Sequence, residues 1–268
     1  MKTRVVVLCF WEYFLNFIRI PYLLISIILA AGSGTRMRPL SYYVPKILLP
    51  VKGKPVLDYI LGNLADLNID THYIVAFEHL ETIERYLKNI RIDNVKVVRG
   101  LGWETGGDLA LAVEQIGRDE DAAVMNGDII TDVNMAELYE RHKQTGSLAT
   151  IAILSLDDRN EAKRFGRIQL GDNSRITEFE EKSERSDQVP ALVNTGFYIF
   201  DRKLIEQRSS YLVPRRFKLE NTLFPRLADE GKLSGHIAKI NYWWDVGTMD
   251  SYIKAENFMI NERGVLPP

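Results

Sequence analysis

Short apolar runs alternate with amphipathic stretches along the first half of the chain. Residues 25–30, inside the apolar tract 23–31, predict a buried strand, because a short continuous apolar run bounded by glycine suits a strand covered on both faces. Val56, Leu57, Ile60, Leu61, Leu64 and Leu67 then recur at three- and four-residue intervals, the spacing of a helix buried along one side. The alternation continues as strand 73–77, helix 79–90, strand 95–99, helix 107–117, strand 122–126, helix 134–145 and strand 148–154. Such repetition predicts a mostly parallel sheet with helices on both faces. From residue 166 the pattern changes. Residues 166–170, 176–181 and 193–200 predict strands with little helix between them, and helix 219–230, strand 236–240 and helix 248–262 follow. No repeat, low-complexity tract or linker breaks the run. One domain over residues 23–268 is expected, with a strand-rich second half inserted.

Residues 1–22 stand apart. Lys2 and Arg4 precede a largely apolar stretch, as in a signal peptide or membrane anchor. Glu12, Asn16, Arg19 and Pro21 interrupt it, so no clean span of about 20 apolar residues remains. Cleavage at Ala30-Ala31-Gly32 would also remove the loop discussed next. Two readings stand for this extension. Trp11, Tyr13, Phe14 and Phe17 could lie at a membrane surface and give weak association. Alternatively, translation starts at Leu23 or Leu24. The few basic residues and Pro21 favour the second.

Composition narrows the partners. The 268 residues carry 34 basic and 36 acidic side chains, a net charge of −2. That balance gives no general polyanion surface, so nucleic acid is not an expected partner. Cys9 is the only cysteine, which excludes an internal disulfide and a multi-thiolate zinc site and fits a cytoplasmic protein. His72, His79, His142 and His236 show no metal-ligand spacing.

In sheets of this kind, ligands sit beyond the carboxyl ends of the strands. The first such loop reads Gly32-Ser33-Gly34-Thr35. It is no Walker A loop, and Met37 stands where a dinucleotide fingerprint needs its third glycine. Alone it is either a tight turn or a cradle of N–H groups for an anion. Arg36, Arg38 and, after Pro45, Lys46 add fixed cations beside it. Cations so placed suit a transfer in which charge builds on an α-phosphate and a departing pyrophosphate. In "VMNGDII", Asp128 ends a predicted strand and is either a Mg²⁺ ligand or a turn cap. In "WWDVGT", Asp245 taken alone is an ordinary loop or capping residue.

The stretch "LAAGSGTRMRPLSYYVPKILLPVKGKPVLDYIL", Leu29 to Leu61, resembles the signature of the sugar-1-phosphate nucleotidyltransferases, with its G-x-G-T-R-x-R-P-L and P-K elements. Further matches follow in that family's order to "WWDVGTMDSYIKA". The resemblance implies a three-layer α/β/α, Rossmann-like mixed sheet of the nucleotide-diphospho-sugar transferase type. It implies an NTP and a sugar 1-phosphate as substrates, Mg²⁺ as cofactor, and commonly a homo-oligomer. No hexapeptide or acetyltransferase region follows, so a bifunctional enzyme is not expected.

The resemblance also implies residue roles. Leu29, Ala31, Gly32, Ser33, Gly34 and Thr35 would bind the nucleotide, with Arg36 and Lys46 on its phosphates. "GWETGGDLALA" resembles the base-reading segment. Gly106 and Gly107 would seat the base, and Glu104 or Thr105 would bond its edge; Thr105 is equally a helix cap. The E-T-G-G form is closer to muramic-acid and heptose nucleotidyltransferases than to the commoner G-T-A form, so the base stays open. "RFGRIQL" and "VNTGFYIF" resemble sugar-contacting elements and imply Gly166, Asn194 and Thr195. Trp243 and Trp244 are either core aromatics or, for one of them, with Trp243 the candidate, a border of the sugar pocket. "EFEEKS" resembles E-E-K-P, with Ser183 in place of proline. It implies Glu181 on sugar hydroxyls and Lys182 on the sugar phosphate. Read without the resemblance, this segment is a solvated charged loop. Asp128 and Asp245 would share the Mg²⁺. A glycosyltransferase of similar build would need a close D-x-D pair, whereas Asp128 and Asp132 have three residues between them.

Overall fold

The computed structural model describes residues 24–157, 162–163, 165–181 and 190–262. The extension 1–22 and Lys182 lie outside the described residues. In chain order the elements are β1 (Leu24–Leu29), β2 (Pro50–Val51), β3 (Lys54–Pro55), α1 (Val56–Asn63), β4 (Ile69–Ala76), α2 (Leu80–Ile90), β5 (Val95–Arg99), α3 (Glu104–Ile116), β6 (Asp121–Asn126) and β7 (Ile129–Thr131). They continue as α4 (Met135–Thr145), β8 (Ala149–Leu156), β9 (Arg167–Leu170), β10 (Ile176–Glu180), β11 (Ala191–Phe200), α5 (Arg202–Glu206), α6 (Arg208–Tyr211), α7 (Phe224–Asp229), β12 (Leu233–Ile237), β13 (Trp243–Asp245) and α8 (Met249–Glu262).

The main sheet runs β10-β9-β11-β6-β1-β4-β5, and β8 joins β11 and β12. Strands β6, β1, β4 and β5 are parallel. β11 enters antiparallel to β6, β8 and β9, so the second half of the sheet is mixed, as expected. Alternate strand residues face two separate cores. Ile25 and Ile27 of β1 pack with α3 and α7, while Ile28 packs with α1 and α8. That is the three-layer arrangement, and each buried strand is apolar on both faces as its sequence predicted.

Three expectations shift. The helix predicted over 219–230 is a π turn over Leu219–Leu223 followed by α7, because Pro225 has no N–H for the ladder of one longer helix. The strand predicted at 236–240 lies at 233–237. There Leu233, Ser234 and Gly235 are buried against β8, and the chain leaves the sheet after Ile237. A two-stranded ribbon of β7 and β13 was not foreseen, and it proves central to the site.

Candidate active site

A cleft of about 580 Å³ opens at the carboxyl ends of β1, β4, β5 and β6. Leu29, the last residue of β1, and Ala31, Gly32, Ser33 and Thr35 after it line the cleft, with Arg36 and Lys46 beside them. Gly34 sits one step back in the left-handed region (φ 61°), and its carbonyl accepts from the Ser41 hydroxyl at 2.8 Å. That turn aims the loop across the strand end. Among the described residues, the N–H groups of Gly32, Ser33 and Gly34 meet no hydrogen-bond acceptor. Exposed, unspent donors beside cations are what an anion cradle requires.

The two aspartates meet although 117 positions separate them. Antiparallel pairing of β7 with β13 sets Asp245 opposite Ile129, and Val246 N–H donates to the Asp128 carbonyl at 2.9 Å. Lys46 Nζ donates to Asp128 Oδ2, and Gly247 N–H donates to Asp245 Oδ1 at 2.7 Å. A side chain grafted onto Gly247 would lie 2.6 Å from Asp245 Oδ1 and 3.2 Å from Arg36 Nη2, so the guanidinium and the second carboxylate flank one point.

The two carboxyls shift in opposite directions. Burial works to raise that of Asp128, but Lys46 and then Arg36 outweigh it, and the group is held below its ordinary value. For Asp245 the balance falls the other way: burial, then the negative charge of Asp128, outweighs the Gly247 N–H, Lys46 and Arg36 and raises it. A like-charged pair of this kind suits a divalent cation. Mg²⁺ is ordinarily held by one or two carboxylates with substrate phosphates and water completing its shell. The donor set fits that ion. Among the described residues no cluster of three or more histidine, cysteine or acidic ligands gathers, so an all-protein metal cage is not what the site offers.

The opposite wall comes from the antiparallel half. A bulge in β11 between Asn194 and Tyr198 turns the strand toward the cleft, where Asn194 and Gly196 emerge. Gly166 and Glu181 adjoin them: a side chain on Gly166 would lie 3.0 Å from Glu181 Oε2. Thr195 is set apart from this group. It is fully buried, its hydroxyl donates to Ala152 O at 2.7 Å, and its carbonyl accepts from Trp243 Nε1 at 2.9 Å. Its part is to hold Trp243, which also packs edge-on against Phe165 at 4.5 Å and lines the cleft. Among the described residues, Asn126, at the end of β6, keeps a buried side-chain oxygen with no donor.

Gly106 and Gly107 are also placed differently from the sequence expectation. Both N–H groups donate to Phe217 O, at 3.0 and 3.1 Å. A side chain on Gly106 would strike the Phe217 ring, and one on Gly107 the Arg215 carbonyl. These glycines admit a strap, residues 215–219, against the start of α3. Thr105 joins the same lock: its hydroxyl accepts from Leu219 N–H at 3.0 Å and donates to Glu220 Oε2 at 2.8 Å. Glu104 and Thr105 do line the cleft.

The strap and the turn that follows it bring Arg216, Lys218 and Glu220 into the cleft wall, and sequence reasoning missed all three. The basic pair in "PRRFKLE" was the available signal. Asp108 was missed as well. Its carboxylate accepts from Leu101 and Trp103 N–H at 2.7 and 2.9 Å and so fixes the loop before α3; burial raises its carboxyl.

A parallel α/β sheet ending in a glycine loop, cations and facing aspartates, closed by an antiparallel half, defines a phosphate-handling α/β protein. The family model described as Nucleotidyl transferase matches residues 25–262, and the chain belongs to that family. It is 29% identical over 251 residues to a mannose-1-phosphate guanylyltransferase of Mycobacterium tuberculosis, covering 90% of this chain and 66% of the relative. Against a UTP–glucose-1-phosphate uridylyltransferase of Synechocystis the identity is 29%, covering 86% and 62%. The chain thus spans less than two thirds of the length of these curated relatives. Among solved structures it superposes on a Bacillus anthracis protein crystallised with sucrose and assigned as a glucose-1-phosphate thymidylyltransferase. There the TM-score is 0.75 and the identity 22%, covering 89% and 96%. HddC from Yersinia pseudotuberculosis gives 0.70 at 24%, covering 88% and 99%. Both show the fold. Among the described residues no helix is long and apolar enough to cross a membrane.

Proposed function

We propose that this protein transfers a nucleotidyl group from an NTP to a sugar 1-phosphate, giving an NDP-sugar and pyrophosphate, with Mg²⁺. The observation that carries the reading is the convergence of Asp128, Asp245, Lys46 and Arg36 beside an unspent glycine loop. An oxygen of the sugar phosphate attacks the α-phosphorus. The bond from that phosphorus to the bridging oxygen breaks, and its electron pair leaves with pyrophosphate. No general base is needed, since a phosphate monoester is already ionised near neutral pH. The glycine loop would receive the triphosphate, Lys46 would sit on the reacting phosphate and Arg36 on the departing pyrophosphate. Asp128 and Asp245 would hold Mg²⁺, which when bound neutralises charge on the phosphates. Gly166, Glu181, Asn194 and Trp243 would bound the sugar, and Lys182 is assigned to its phosphate by resemblance.

The relatives differ in both base and sugar. Pyrophosphate release from a matrix of five NTPs against several sugar 1-phosphates tests the reading and finds the pair. Release from at least one pair, dependent on Mg²⁺, is the expected result. Tight NDP-sugar binding with no release from any pair would make this a non-catalytic binding homologue instead.

A further inference from the structure

The glycine loop does not hold its shape alone. The left-handed Gly34 carbonyl accepts twice, from Met37 N–H and from the Ser41 hydroxyl, each at 2.8 Å. Across a planar trans peptide the carbonyl and the next N–H point opposite ways, so tying back the Gly34 oxygen turns the Thr35 N–H away from Ser41. Thr35 lines the cleft. Ser41 is buried and is itself held: its carbonyl accepts from His79 Nε2 at 3.0 Å. A carbonyl can only accept, so the ring carries a proton on Nε2.

His79 stands on the turn between β4 and α2, in the left-handed region at φ 62°. A residue with a Cβ is unfavourable there and persists where its surroundings over-determine it. Its main chain is anchored, because its carbonyl accepts from Thr82 and Ile83 N–H at 3.0 and 3.1 Å and so starts α2. Its side chain does not cap that helix. It reaches instead to a residue 38 positions earlier, in the segment that ties down Gly34. A helix of the sheet's second βα unit thus holds the loop that follows the first strand. His79 does not itself line the cleft, so any effect on a ligand passes through Ser41.

We infer that His79 is a positioning residue for the glycine loop: through Ser41 it keeps Gly34 in the turn that leaves the loop's N–H groups open to a triphosphate. The loop's service to a triphosphate rests on the reaction proposed above; the tie between His79 and the loop does not.

The test compares wild type with His79→Gly, His79→Gln, Ser41→Ala and the double variant Ser41→Ala/His79→Gly. Glycine accepts φ 62° without strain and deletes the ring, so His79→Gly should melt within a few degrees of wild type. Glutamine restores a donor, since its terminal amide reaches about as far as Nε2. If His79→Gly does not fold, His79→Asn takes its place, because asparagine tolerates this backbone but its amide is too short to reach Ser41. Amide exchange over residues 32–37, followed by mass spectrometry without ligand, should quicken in His79→Gly and return to the wild-type rate in His79→Gln. KM for the NTP should rise roughly 2–10-fold in His79→Gly, the worth of one ordinary hydrogen bond, and recover in His79→Gln. KM for the sugar 1-phosphate should change less than about twofold. The double variant should be no worse than Ser41→Ala, since His79 acts through that residue. Unchanged exchange overturns the inference, and so does quickened exchange with an unchanged NTP KM. Equal rises in both KM values, no recovery in His79→Gln, or additive losses in the double variant also overturn it. If wild type releases no pyrophosphate, the reaction fails, while exchange and calorimetric titration with inorganic tripolyphosphate still decide His79. Quickened exchange with weaker binding in His79→Gly, both restored in His79→Gln, then supports the inference. Unchanged exchange, equal binding, or no binding to wild type overturns it.

Discussion

Two glycine pairs lie beside residues that line the cleft, and they do opposite things. Gly32 and Gly34 follow a parallel strand and leave their N–H groups unspent among the described residues; space beside Gly32 is open, with Lys46 Nζ the nearest atom at 4.0 Å from a grafted side chain. Gly106 and Gly107 have spent both N–H groups on Phe217, and neither has room for a methyl group. Identical residues thus leave open N–H donors in one place and make a seam between two segments of the chain in the other. What separates them is whether another segment of chain occupies the space that the missing side chain leaves. The seam bears on the cleft only at one remove, because it sets the strap carrying Arg216 and Lys218, which line it.

The largest expected effect falls on the open side. Asp128→Asn removes the charge that Lys46 and the metal would share, and turnover should drop about 10²–10³-fold, as when other preorganised charges are removed. The melting temperature should move little, because Asp128 is on a loop. Near-normal turnover would break the assignment of this side to phosphate chemistry.

The comparison itself is sharpened by paired alanines. Gly107→Ala should cost about 1–3 kcal/mol of stability in urea unfolding, since the new methyl meets the Arg215 carbonyl and the strap must shift. Gly32→Ala should cost under about 0.5 kcal/mol, as an exposed substitution. It should nonetheless raise KM for the NTP roughly tenfold if the loop is a phosphate cradle. Equal stability losses would erase the distinction between the pairs.

Asp245 gives a smaller effect with a definite sign. Its carboxyl is raised above the ordinary 3.8 by burial and by Asp128, so between 3.8 and that raised value the native state holds more protons than the unfolded chain. Stability therefore falls as pH rises through that window. Asp245→Asn should melt a few degrees higher than wild type at pH 7 without Mg²⁺, while losing activity. The advantage should vanish below about pH 4, where the wild-type carboxyl is protonated too. A variant melting lower at pH 7 would show that Asp245 is not held against its charge. The smallest effect belongs to the rim: Glu104→Ala releases an exposed pair with Arg216 and should change stability by at most about 1 kcal/mol.

Much of the open side was legible in the chain. An apolar strand, the glycine loop and the cations to Lys46 are nearly contiguous, so one parallel strand delivers them together, and Asp128 stands on the turn just after another such strand. The layered α/β fold followed from apolar periodicity, because strands covered on both faces and helices covered on one leave different patterns. Other features depended on pairings that no local pattern records. Asp245 reaches Asp128 only because β13 pairs with β7, and within "WWDVGT" nothing distinguishes it from a helix cap. Thr195 looked like a sugar ligand but turned its hydroxyl to Ala152, since a bulge decides which residues of β11 emerge. Gly106 and Gly107 read as a seat for a base until the strap was seen to fill it. The sequence by itself determined the elements, their layering and the chemical groups available. Only the tertiary structure decided which of those groups face the cleft and which face one another, because that choice depends on contacts between segments about a hundred residues apart.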